Sequence, residues 1–236
     1  MKIEILFNEV CNLYGDSFNA RFLSQSLPEA EFFYTGLNDK PHFTNEDIDF
    51  IYMGSMPEIT QEHVISRLLP YRECILESIK SGKVFLFTGN AFEVFGEYIL
   101  DDEKGRITAL NIFDGYAKRN MWKRYNALFL GESIDEEGNS IRIVGFKNQF
   151  THYYMNNENC YAFKCLRGCG INPDSIFEGI RLNNFFGTYL IGPLLVLNPL
   201  FTKYLLSLAG VKDTKLAFED VAMEAYRVRL KEFEDE

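Results

Sequence analysis

Nucleophilic catalysis needs a nucleophile beside a proton acceptor. The chain holds five cysteines and three histidines that could supply such a pair. Cys11 follows the first apolar run, in a polar loop. Cys74 falls inside an amphipathic stretch and reads as a small core residue. Cys160, Cys165 and Cys169 cluster ahead of the last glycine-containing motif. Their spacings lack the paired Cys-x-x-Cys arrangement of structural zinc sites, so neither a metal nor another cofactor is expected. His42 sits in a proline-containing loop and His63 in the first turns of a helix, and both read as solvated. His152 is placed to approach a pocket rim. Thr88 ends a buried strand, and on an alternating strand its hydroxyl should point away from the mouth that follows.

The elements that must position such groups follow from the pattern. Residues 83–88 read as a buried strand, and Gly89-Asn90-Ala91-Phe92-Glu93-Val94-Phe95-Gly96 as a tight turn entering a helix. Gly and Asn suit that turn because both tolerate left-handed backbone angles. Residues 3–7, 31–34 and 48–53 read as strands, and 17–27 as a helix capped by Asp16 or Ser17. A long helix is expected from 60 towards 80, stopping near Gly82. Shorter strands follow at 107–113, 127–129 and 141–146, with a turn at Glu136-Glu137-Gly138-Asn139. Helices at 200–208 and 216–233 close the chain. Buried strands spaced by helices predict an α/β fold with a mainly parallel sheet covered on both faces. No linker or repeat divides residues 1–236, which read as one domain.

Segment 185–195, Phe-Phe-Gly-Thr-Tyr-Leu-Ile-Gly-Pro-Leu-Leu, resembles the Gly-Thr-Tyr-Leu-His-Gly-Pro-Leu-Leu signature of class I glutamine amidotransferases. The resemblance is to the cobyric acid synthase and lipid II isoglutaminyl synthase amidase-subunit type. Asn12-Leu13-Tyr14-Gly15-Asp16 matches the segment after that family's first strand. Gly54-Ser55-Met56 stands where the family has a triple-glycine loop, and Gly89–Gly96 where it has Cys-Gly-Gly-Tyr-Gln-x-x-Gly. Gly145-Phe146-Lys147-Asn148-Gln149 resembles its Gly-Phe-Glu-Asn-His, and Asn198-Pro199 also fits. The resemblance implies a flavodoxin-like three-layer sandwich.

It also implies that the usual chemistry is missing. Gly89 stands at the nucleophile position and offers no reactive atom, and Ile191 at the base position cannot accept a proton. Gly54, Ser55, Asn90, Asn148 and Gln149 then mark a vestigial glutamine pocket. Lys147 and Gln149 reverse or remove charge beside it. The expectation is a noncatalytic, cell-wall-related amidotransferase-like subunit with a Mur-ligase-like or other synthase partner. Two alternatives stand beside it: an active amidohydrolase whose nucleophile is Thr88 or a relocated cysteine, and a module that binds an amino-acid-like ligand.

Composition narrows the partners. A formal charge of -10 disfavours nucleic acid and acidic membranes. Segment 118–124 is the compact basic cluster and Asp101-Asp102-Glu103-Lys104 an acidic surface run. A charge at Glu4 interrupts the first apolar run, so no signal peptide is expected and the cytoplasm is the expected compartment.

Overall fold

The computed structural model describes residues 1–155 and 160–235. The chain opens with β1 (Lys2–Leu6), α1 (Ser17–Ser26), β2 (Glu31–Thr35), β3 (Phe50–Met53), α2 (Glu58–Leu68), α3 (Arg72–Lys80) and β4 (Val84–Thr88). A run of strands follows: β5 (Tyr98–Asp101), β6 (Gly105–Thr108), β7 (Tyr116–Arg119), β8 (Tyr125–Ile134), β9 (Ser140–Gln149), β10 (Thr151–Tyr154), β11 (Phe163–Arg167) and β12 (Phe177–Glu178). The chain closes with β13 (Ile180–Leu182), β14 (Phe185–Thr188), β15 (Leu190–Ile191), α4 (Leu194–Leu197), α5 (Pro199–Leu208) and α6 (Glu219–Asp235).

A six-stranded sheet in the order β13-β14-β4-β3-β1-β2 forms the centre. It is parallel except for β13 at its edge. Side chains alternate between faces along each strand. Ile3, Ile5, Phe50, Tyr52, Val84, Leu86 and Phe186 pack against α1, α4 and α5, through Phe22, Leu23, Leu194, Phe201 and Leu205. Ile51, Met53, Phe85, Phe87 and Phe185 pack the other way, against Val64 and Leu68 of α2, Ile75 and Ile79 of α3, and Phe92 and Phe95. Both faces are apolar, which is why these strands read as continuous apolar runs.

The mainly parallel description covers this sheet and no more. Two further sheets lie between residues 98 and 191. One has the order β10-β7-β5-β6 and the other β12-β11-β8-β9-β15. The second is antiparallel throughout and is built on the long β8–β9 hairpin. The hairpin turn is held by Asp135, whose carboxylate accepts the backbone N–H groups of Glu137 and Asn139.

Two helix expectations fail for local reasons. The long helix at 60–80 is two helices, broken at Leu69–Tyr71, because Pro70 has no N–H to continue the ladder. After Gly89 the chain makes only 3₁₀ turns, to Phe95. Ala91 to Phe95 are all buried, so this segment has no polar face to run along a surface. Residues 109–113 extend past β6 without ladder pairing. No helix among the described residues is long and apolar enough to cross a membrane.

Candidate functional site

Parallel pairing brings the C-terminal ends of β1, β3, β4 and β14 to one edge, with Met53 opposite Phe87 and Thr88 opposite Thr188. Such an edge is where open α/β sheets hold their ligands. β15 then crosses to β9 and pairs Ile191 with Phe146, which sets Ile191 near Asn148 and Gln149. Ser55, Met56, Gly89, Asn90, Asn148, Gln149 and Ile191 therefore surround one cavity, together with Tyr14, Glu93 and Tyr189. Gly54 does not line it. A Cβ at Gly54 would lie 2.5 Å from the Cys11 carbonyl oxygen, so close loop packing sets that glycine.

The cavity is small, about 30 Å³. That is room for a water, far below the several hundred Å³ of a small-molecule site. Gly89 has φ +61°, and a Cβ built there would overlap the Cβ of Ser55. Asn90 lines the same cavity and is tied to Met56. Its Oδ1 accepts the Met56 N–H at 3.0 Å, and its Nδ2 donates to the Met56 carbonyl at 2.8 Å. The Ser55 N–H donates to Asp16 Oδ2 at 2.9 Å, and Ser55 Oγ donates to the Leu13 carbonyl at 3.0 Å. The loop that would offer donors to an oxyanion has already committed them. Ile191 is buried and presents only hydrocarbon.

Thr88 and Cys11 are also engaged. Thr88 Oγ1 turns away from the cavity and donates to Asp16 Oδ2 at 2.7 Å. The Tyr52 hydroxyl lies 3.1 Å from it and is itself donated to by Asn19. Burial raises the Asp16 pKa from its ordinary value. Cys11 is buried with Sγ 3.9 Å from Met56 Sδ, and burial pushes its thiol far from the thiolate. Burial raises the Cys165 thiol as well. His152 does not line the cavity. Its ring packs 4.1 Å from that of Tyr125, and burial, then the Lys147 charge, lowers its pKa. Among the described residues no group of three or more His, Cys, Asp or Glu side chains could hold a metal.

Three charges read from the sequence as pocket or surface groups are buried elsewhere. Lys147 points away from the cavity. Its Nζ sits 2.5 Å from Glu178 Oε2 and donates to the Gly170 carbonyl at 2.7 Å, with both side chains fully buried. Arg119 leaves the basic surface cluster and Asp101 leaves the acidic run, because the two form a buried pair at 2.7 Å. Lys118 and Trp122 of that cluster remain exposed, Trp122 at 89%.

Glu93 is the wall residue that sequence reasoning missed. It accepts from Gln61 Nε2 and from the Tyr189 hydroxyl, each at 2.9 Å, and Arg119 donates to Gln61 Oε1 at 2.7 Å. Burial pushes its carboxyl up to about 7, against those two hydrogen bonds and the Arg119 charge. The available signal was a lone glutamate inside Ala-Phe-Glu-Val-Phe, at the position where the family pattern has glutamine.

No family model matches the chain. A lipid II isoglutaminyl synthase (glutamine-hydrolyzing) subunit GatD of Streptococcus pneumoniae is 25% identical to it, over 94% of this chain and 86% of that protein. Its Staphylococcus aureus namesake is 26% identical over 84% of this chain and 79% of that protein. A solved glutamine amidotransferase superposes with TM-score 0.54 at 14% identity, covering 89% of this chain and 99% of the other. Another, from Thermotoga maritima, gives 0.52 at 12% identity over 97% and 92%. These two likenesses concern the fold. By its fold and its sequence likeness to those synthase subunits together, the chain is glutamine amidotransferase-like.

Proposed function

We propose that this protein is a glutamine amidotransferase-like subunit that no longer hydrolyses glutamine and acts through its surface on a synthase partner. One observation carries the proposal. The wall around the old site has glycine and isoleucine where a thiol and an imidazole would be needed, and Asn90 holds the would-be oxyanion loop shut. The vestigial pocket is the cavity between Ser55, Asn90, Asn148 and Gln149. We read the central sheet with its two helical covers as the flavodoxin-like sandwich, and residues 1–236 as one domain. The relatives' names describe subunits of a cell-wall synthase, and a Mur-ligase-like partner is the corresponding proposal here. A cavity with room for a water supports this reading over a module for an amino-acid-like ligand.

The test measures ammonia and glutamate release from glutamine by the purified protein. The expected result is no turnover above a heat-inactivated control. Turnover that vanishes when one cysteine, Thr88 or Ser55 is replaced would overturn the proposal and name the nucleophile. Co-purification of the native protein tests the partner, and a Mur-ligase-like protein is expected to accompany it.

A further inference from the structure

We propose that the small cavity of the old site binds one ammonium ion. Size limits the guest first. About 30 Å³ holds a single molecule of the size of water, so the groups facing the cavity share one guest. Charge limits it next. Glu58 and Glu93 both line the cavity, and among the described residues no lysine, arginine or histidine does. The Arg119 guanidinium stops at Gln61 Oε1, one side chain short of Glu93.

Hydrogen bonding limits the guest further. Asn148 Oδ1 and Gln149 Oε1 are buried in this wall without a partner, and both are acceptors. Gln149 is only 7% exposed. Its amide cannot turn over without losing the bond from Nε2 to the Thr151 carbonyl at 2.6 Å. Glu93 accepts from the Tyr189 hydroxyl on one oxygen and from Gln61 Nε2 on the other, and each oxygen keeps a free lone pair. An acceptor buried without a donor is costly, so the guest must donate.

Ammonium meets all three limits. It is a water-sized cation that donates in every direction and accepts nothing. Water brings no charge, and its lone pairs would meet a wall that already has acceptors to spare. Potassium is of similar size but needs a fuller shell of oxygens than this wall offers. A divalent metal finds no group of three or more His, Cys, Asp or Glu among the described residues. The inference rests on the reading of this cavity as closed and noncatalytic, and it gives that site a ligand of its own.

Charge-assisted bonds to so small a guest set a Kd of about 10 mM. The test is thermal unfolding of the full chain at about pH 8, where the Glu93 carboxyl, titrating at about 7, is ionised. Ammonium chloride at about 100 mM is compared with potassium chloride at the same concentration. Ammonium should favour the folded state by about tenfold, a rise of about 3–6 °C over potassium. Gln149→Leu should remove most of that difference. Asn148→Asp adds a carboxylate to the wall and should enlarge it, so the test does not hang on one variant's folding. Ammonium and potassium acting alike would mean that the cavity holds water only, and would overturn the proposal. So would a difference that survives Gln149→Leu, or one that Asn148→Asp leaves unchanged. Glutamine is absent throughout, so failure here leaves the loss of glutamine hydrolysis standing, and the ammonia-release assay tests that separately.

Discussion

Glu93→Gln should change the way stability depends on pH. In the fold the Glu93 carboxyl titrates at about 7, against an ordinary value of 4.5. The folded state therefore holds this proton more tightly than the unfolded chain. The stabilisation is complete below the unfolded value and is lost as pH rises through about 7. At about 1.4 kcal/mol per pH unit, the wild type should forfeit about 3 kcal/mol that a neutral side chain keeps. Glutamine fits with little rearrangement. Its oxygen can accept from Gln61 Nε2, and its amide can donate to the Tyr189 hydroxyl once that O–H rotates. Asp16 and His152, whose pKa values are also displaced, are common to both proteins and drop out of the difference. Thermal unfolding of both proteins from about pH 5 to about pH 8 is the assay. The variant's advantage should grow with pH to about 6–12 °C. Melting curves that stay parallel across that range would refute the argument.

The empty nucleophile position should resist simple repair: Gly89→Cys is expected to lose about 1–3 kcal/mol in urea unfolding, because its Cβ overlaps Ser55 and its φ is positive. Adding Ser55→Gly should recover part of that loss, and glutamine turnover should stay absent even with Ile191→His added, because Asn90 still holds Met56, as an ammonia assay would report. Lys147→Met should cost about 3–5 kcal/mol by leaving the Glu178 carboxylate buried without its cation. Adding Glu178→Gln should regain at least half of that loss, and strict additivity of the two changes would show that the pair is not coupled.

The central sheet was legible because its strands are apolar on both faces, as in Val84-Phe85-Leu86-Phe87. The two further sheets were much less so. In β8 burial alternates, but the residue types hide it: Leu128 and Ile134 lie on the exposed face and Gly131 and Ser133 on the buried one, and several partners are strands of two to four residues. Motif order placed Ser55, Gly89, Asn90, Asn148, Gln149 and Ile191, which the fold gathers around one cavity. Spacing along the chain could not tell the direction of a side chain. Lys147 shares its strand with Asn148 and Gln149, yet its side chain runs to Glu178. Arg119 and Asp101 looked like surface charges because each stands among charged neighbours in sequence, and their burial follows from pairing across the β5–β7 sheet. The Asn90 plug had no sequence signal, since it depends on where the loop after β3 is brought by the sheet.

On the proposed reading, Asn90 makes the fold its own competitive inhibitor. Its carboxamide is the functional group of glutamine, and it holds the Met56 N–H and carbonyl. A group fixed in the fold competes at an effective concentration far above the millimolar level of a flexible tether. On that reading, free glutamine at millimolar concentration should not displace it. On that reading, a thiol at residue 89 and an imidazole at residue 191 would leave the site occupied, and a designer seeking activity there would have to shorten residue 90 first.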